Sequence, residues 1–461
     1  MGKTKKIYKN NKGGKVIASG GYGCVFNPAL KCEGASKREA NKISKLMTES
    51  HAISEYEEIN NIKNELDSIP NYEDFFLIND ATLCRPAKLT ASDLNAFGDK
   101  CTALPKNDIT KKNINQQLEE VMTLNIPHGG LPVDDYLYNN GSFEKMYNTN
   151  LALMKLFKKG IIPMNKHNIY HCDIKDSNIL IDDSSSVLKA RLIDWGLSVD
   201  YIPNKTVVFP KNWRNRPLQF NVPFSVIIFT DDFYKKYSDY LKNGGELNKT
   251  SLNVFVLDYL NYWMKERGAG HYKFINEIMF MLYSNTLSSV SEGSKPSVIE
   301  TEITIPIIVN YITDVLIHYT KFKSDGSLNL REYLNEVYVK IVDVWGFIVS
   351  YYPMLEMLSS NRVKLKEKEI KILENLEYIF NEYLYTPRHE PYNLTELLND
   401  FRDLGNAIYM SIHGRKKTPS NSSSLASGIR KNKTRKTKPS SIFKRKKLIK
   451  KFKNPFFLSL K

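Results

Sequence analysis

The tract from Ile169 to Trp195 holds the residues best suited to chemistry. It reads Ile-Tyr-His-Cys-Asp-Ile-Lys-Asp-Ser-Asn-Ile-Leu-Ile and, after a polar turn, Arg-Leu-Ile-Asp-Trp-Gly. Asp173 is followed two positions on by Lys175 and five positions on by Asn178, and Asp194 stands before Trp195-Gly196. Two carboxylates, an amide and an ammonium in this order suit phosphoryl transfer. A carboxylate beside the acceptor hydroxyl takes its proton, a cation neutralises moving charge, and oxygen ligands hold magnesium on the phosphates.

Such groups need rigid supports. The apolar runs Ile179 to Ile181 and Leu192 to Ile193, joined through Asp182 to Ser186, read as a hairpin that brings Asn178 and Asp194 together at one mouth. Upstream, Lys15-Val-Ile-Ala-Ser-Gly-Gly-Tyr-Gly-Cys-Val-Phe26 reads as two strands around a glycine turn. Gly20 and Gly23 there leave backbone N–H groups open to phosphate oxygens. Lys42-Ile-Ser-Lys45-Leu-Met is an alternating strand with Lys45 near its end, Lys42 being the competing lysine. Ser50 to Leu66 is helical by its stripe Ala52, Tyr56, Ile59, Ile62, Leu66, and Glu55 or its competitor Glu58 could reach the strand lysine. Glu119 to Ile126 reads as a further strand. Asn125-Ile-Pro-His-Gly-Gly130 follows as a connector whose backbone could meet a purine edge. Phe143 to Lys159 is a helix with a core stripe of Met146, Leu151, Met154 and Phe157.

Composition narrows the class. The chain has 461 residues, 42% hydrophobic and 25% charged, enough for a large two-lobed domain. No run reaches the roughly 18 to 20 apolar residues of a membrane span, and the start lacks a secretory apolar core. The five cysteines (24, 32, 84, 101, 172) are odd in number and lack paired spacing, which points to reduced thiols inside a cell. The absence of C-x-x-C spacing argues against a zinc site. The net charge of +16 is unevenly spread: 17 of the 66 Lys and Arg residues lie in 414–461, a stretch without Asp or Glu. The body therefore carries 49 basic against 50 acidic residues. Residues 1–14 and 414–461 read as disordered, the latter as an electrostatic tether for nucleic acid or an acidic partner. Between them, 226–338 alternates helical stretches with polar loops, Val342 to Phe347 opens another helix, and Leu365 to Tyr385 is an amphipathic one.

With glycine turn, strand lysine, Asp-x-Lys-x-x-Asn and Asp-aromatic-Gly in this order, the chain resembles a eukaryotic-type serine/threonine protein kinase over about residues 15–200. The surrounding sequence looks like the kinases of large nucleocytoplasmic DNA (giant) viruses. The resemblance implies an α+β fold with a small β-rich N-lobe (15–127) and a large, mostly helical C-lobe (128–413) carrying an insertion at about 226–338. It implies ATP and Mg2+ as cofactors and protein substrates as partners. Asp173 would be the catalytic base, with Lys175 steadying the γ-phosphate and Asn178 and Asp194 holding magnesium. Ile17, Ala18, Ser19, Gly20, Gly21, Tyr22, Gly23, Cys24 and Val25 would cover the nucleotide, and Lys45, paired with Glu55, would hold its α- and β-phosphates. Asp343, in Asp343-Val-Trp345, would brace the catalytic loop from a helix. An intracellular setting follows, host cytoplasm or nucleus if viral, with virion association as an open expectation. The chain departs from the pattern at Ala18 (usually Gly), Trp195 (usually Phe) and Cys172 (often Arg), and no Ala-Pro-Glu follows; Phe220 to Ser225 stands in its place. Without an Arg at 172, a phosphate on Ser198 or Thr206 loses its usual partner, and activity independent of such phosphorylation is expected. The departures leave two other readings open, a weakly active kinase-like scaffold and a kinase for small-molecule hydroxyls.

Overall fold

A computed structural model describes residues 14–139, 141–206, 209–322 and 328–414. The Lys-rich start and the basic tail expected to be disordered lie outside the described residues, apart from Gly14 and Gly414. The N-terminal region is built on β-sheet and the C-terminal region is helical, an α+β chain. The chain forms two compact units. The first comprises residues 1–132, 155–171 and 178–198; the second comprises 133–154, 172–177 and 199–461.

The first unit is organised on a five-stranded antiparallel sheet in the order β1-β2-β3-β5-β4. The strands are β1 (Lys15–Ser19), β2 (Gly23–Asn27), β3 (Lys42–Thr48), β4 (Thr82–Cys84) and β5 (Val121–Pro127). Helix α1 (Glu49–Leu66) leaves directly from the end of β3 and buries Ala52, Ile59 and Leu66 on one stripe. Another face of the sheet is closed by the segment 89–118, whose Leu89, Phe97, Leu104 and Ile114 pack with Val16, Phe26, Leu46 and Val121. Strand β5 runs through Asn125 to Pro127, so three residues assigned to the connector are ladder residues, paired with Ser44, Ile43 and Lys42. The Asn125 amide is buried and donates to Glu39 at 2.7 Å. A three-stranded sheet follows, Leu131–Pro132, Ile179–Asp182 and Lys189–Leu192, with Ile179 opposite Leu192 as the hairpin reading requires.

Two cross-links overturn the expectation of reduced thiols. Cys24 is bonded to Cys101 and Cys32 to Cys84, while Cys172 is in no disulfide. Partners 77 and 52 residues apart meet through the fold, and sequence spacing carries no trace of that.

The second unit is helical. Helices Lys249–Arg267 and Ile305–Tyr319 pack together, as do Glu367–Ile379 and Leu394–His413. The helical run Arg331–Ser360 is long and apolar enough by composition to cross a membrane, contrary to the expectation that no such run exists. Its apolar window is 89% buried inside the unit, where it serves as a core helix. Around it, Phe224, Tyr311, Trp345 and Tyr385 meet with ring centroids 5.2 to 6.5 Å apart. Each such pair adds about 0.5–1.5 kcal/mol beyond its buried area. Tyr311 comes from the stretch read as an insertion, so 226–338 supplies core to this unit. In the expected helix stripe after Phe143, Met146, Met154 and Phe157 are buried, but Leu151 is half exposed.

Candidate functional site

In the first unit, Lys45 of β3 donates to both carboxylate oxygens of Glu55, at 2.7 and 2.8 Å. Glu55 lies three residues after buried Ala52 and four before buried Ile59, which turns it toward the sheet. Lys42, the competitor, pairs with Glu39 instead. Asp194 Oδ1 stands 3.5 Å from the Lys45 ammonium. Burial works against the charge on Lys45, but Asp194 and Glu55 outweigh it and raise its pKa. Burial pushes the Glu55 carboxyl up, as it does Glu58.

Asp194 holds a left-handed backbone, φ 65°, which a non-glycine residue keeps only when its neighbours fix it. The fixing groups lie on either side. Ile193 donates its N–H to the Asn178 carbonyl at 3.1 Å and its carbonyl meets His171 Nε2 at 3.0 Å. Trp195 is buried between Phe76 and His171, with centroids 5.6 and 4.8 Å away. The hairpin thus sets Asn178 and Asp194 side by side at one end.

The glycine turn is fastened from outside. Ser19 Oγ accepts the backbone N–H groups of Thr102 and Ala103, beside the Cys24–Cys101 bond. Ile17 and Tyr22 are exposed, Tyr22 stacking on His51 at 4.6 Å, while Cys24 is buried in the core. Ala18 pairs with Val25 across the ladder. At Gly21 an added Cβ would meet nothing, and at Gly20 only an ordinary contact. At Gly23 it would fall 2.3 Å from Met47 Cγ and 2.8 Å from the Leu46 carbonyl, so this glycine also serves the β2–β3 crossing.

In the second unit, Asp173 is buried and both its oxygens are engaged. Lys175 Nζ donates to Oδ2 at 2.8 Å and Asn221 Nδ2 to Oδ1 at 2.8 Å. Burial opposes the charge, but Lys175, Asn221 and Arg216 overcome it and hold the carboxyl below the usual range. Asp173 is therefore ionised at neutral pH and oriented.

The preceding residue, Cys172, is also left-handed, φ 59°. Three contacts hold it: its N–H donates to Asp343 Oδ1 (2.8 Å), its carbonyl accepts Arg216 Nη1 (2.9 Å), and its Sγ meets Trp213 Nε1 (2.9 Å). Asp343 thus grips the loop from helix Val339–Val349, and Gly346 of that helix lets Ile174 close in, since a Cβ there would be 2.5 Å from the Ile174 carbonyl. Burial pushes the Cys172 thiol well up, which makes it inert. The adjoining segment is held by indoles: Trp263 Nε1 donates to the Arg216 carbonyl and Trp345 Nε1 to the Phe220 carbonyl.

Sequence reading missed Arg216, Trp213 and Asn221. The stretch from Asn204 to Asn221 shows only a richness in Pro, Asn and Arg, and no spacing announces which of these returns to Asp173. At Thr206, Arg331 Nη1 donates to the backbone carbonyl at 2.7 Å. A guanidinium thus stands near that residue although position 172 lacks one.

No protein-family model matches the chain. Among solved structures, a crystal structure of a kinase domain is similar to it at 13% identity and a TM-score of 0.25, covering 49% of this chain and 61% of that one. The match thus spans less than two thirds of that kinase domain's length.

Proposed function

We propose that the chain transfers the γ-phosphoryl group of ATP to serine or threonine hydroxyls of proteins. The observation that carries this reading is the Lys45–Glu55 pair with Asp194 beside it. An ammonium fixed between two carboxylates is suited to phosphate oxygens, and a partly exposed carboxylate is suited to a hard cation. Asn178 and Asp194, whose backbones come to one end of the hairpin, would supply the oxygen ligands that magnesium takes. Bound there, Mg2+ would neutralise charge on the phosphates.

On the acceptor side, Asp173 would take the hydroxyl proton as the oxygen attacks phosphorus. Lys175, already on Asp173 Oδ2, would steady the charge of the transferring group. The low pKa of Asp173 makes it a weak base, so its contribution lies more in orienting the alcohol than in proton affinity. Asn221 would keep the carboxylate aimed. The kinase-like two-lobed division, the giant-virus affinity and a basic tail that tethers nucleic acid or an acidic partner belong to the same proposal and rest on sequence. An intracellular site of action rests on the resemblance alone, since the two disulfides remove the argument from reduced thiols.

The test incubates the full chain with Mg-ATP and a mixed protein extract, with Asp173→Asn and Lys45→Met as controls. Phosphate on Ser or Thr of proteins, reduced at least about 100-fold in both variants, is the expected result. Nucleotide binding without transfer, or transfer to metabolites alone, would replace this reading with a scaffold or a small-molecule kinase.

A further inference from the structure

A second cluster of ligand-type side chains lies in the helical unit, and the phosphoryl-transfer reading makes no use of it. Asp314 and His318 sit one turn apart on helix Ile305–Tyr319, and His389 comes from the segment between Tyr385 and Leu394. One ligand atom from each of the three lies within 4.8 Å of the other two. The two imidazoles are stacked face to face, centroids 3.5 Å apart and planes 6° from parallel.

Their hydrogen bonds decide what they can offer. His318 Nδ1 lies 2.8 Å from the Asp314 backbone carbonyl, and His389 Nδ1 lies 2.8 Å from Asp314 Oδ2. Both Nδ1 atoms thus lie near the Asp314 carboxylate, 3.9 Å for His318 and 2.8 Å for His389, and a cation replacing their protons would meet both rings and the carboxylate together. A second tether positions His389, because Tyr319 Oη donates to its backbone carbonyl at 3.0 Å. The histidine side chains are 40% and 38% exposed and Asp314 26%, so water could complete a coordination shell without disturbing the core.

We infer that His318, His389 and Asp314 form a binding site for a divalent transition-metal cation of the zinc class. Two imidazoles and a carboxylate suit Zn2+ better than Mg2+ or Ca2+, which prefer all-oxygen shells. The bound ion would staple the segment 386–393 to helix Ile305–Tyr319, and through it the start of the last helix, Leu394–His413. The expectation against zinc rested on cysteine spacing and did not consider a His/His/Asp set.

The experiment uses the full chain without an affinity tag, its disulfides intact, dialysed against chelator and titrated calorimetrically with ZnCl2. One equivalent of Zn2+ should bind, and His318→Ala or His389→Ala should weaken it at least tenfold, Asp314→Asn about tenfold. Because a variant could misfold, the parent chain is also treated with an imidazole-acylating reagent with and without Zn2+, and modification is mapped by mass spectrometry. Protection of His318 and His389 by Zn2+ is expected. Absence of binding, binding undiminished in the His318→Ala/His389→Ala double variant, or equal modification with and without Zn2+ would each overturn the proposal.

Discussion

Asp173 is held by Lys175 from its own loop and by Asn221 from 48 residues on, and its neighbour Cys172 is held in a strained backbone by three more groups. Strain at a single residue costs on the order of 1–3 kcal/mol and persists only where the surroundings fix it. Here the anchors are Asp343, Arg216 and Trp213, and each contact is to a buried group. Asp176, three residues on, is a different case. Its pKa is pushed up to about 7, by burial first and by Asp134 next. Between about pH 4 and 7 the folded chain therefore keeps a proton that the unfolded chain has released. Stability is lost as pH rises through that window, by up to about 1.4 kcal/mol per unit, and the loss ends above it. Asp176→Asn removes the titration, so the stability of this variant relative to the parent should climb from pH 4 to 7 and then level. Denaturant midpoints across that range check this; a flat difference would mean that Asp176 titrates normally.

At the scale of elements, the strand lysine and its glutamate were legible because both follow local rules. Alternation fixes which side of β3 faces inward, and helical spacing places Glu55 on the stripe of Ala52 and Ile59. The hairpin around Asp182 to Ser186 was legible for the same reason, apart from its paired ends, which stop at Leu192. What remained hidden is non-local. Asn221 reaches Asp173 from 48 residues away, and the cysteine partners are further apart still. The segment 89–118 hides more, since it is tied to β2 through the bond between Cys101 and Cys24. Closing a loop of 77 residues typically stabilises by about 2–4 kcal/mol. The Cys24→Ala/Cys101→Ala double variant should lose about that much and loosen the contacts of Ser19 with Thr102 and Ala103. Hydrogen exchange at those two amides reports it; unchanged protection would show that the apolar packing alone secures the glycine turn.

Across the molecule, the α+β character was reached through the resemblance that the motifs carry, whereas the organisation of the second unit was not legible. The stretch 226–338 looked like an insertion because no motif marks it, yet Tyr311 and Tyr333 are fully buried aromatics of that unit. Hydrophobic residues at helical spacing reveal a helix and leave open which neighbour it meets. The catalytic-type residues are divided in the same way, Lys45, Glu55, Asn178 and Asp194 in one unit and Asp173 and Lys175 in the other, with the chain crossing between them at 171–172 and 177–178.

The cysteine arrangement gives the chain a built-in tally of its oxidation state. Four sulfurs are bonded and the fifth is sealed behind Trp213, so a thiol-alkylating reagent should attach no label to the native protein. It should attach one label after unfolding without reductant and five after unfolding with it. A whole-protein mass spectrum reads these three numbers directly, and three or more labels without reductant would reveal a population that left the ribosome and never acquired its bridges.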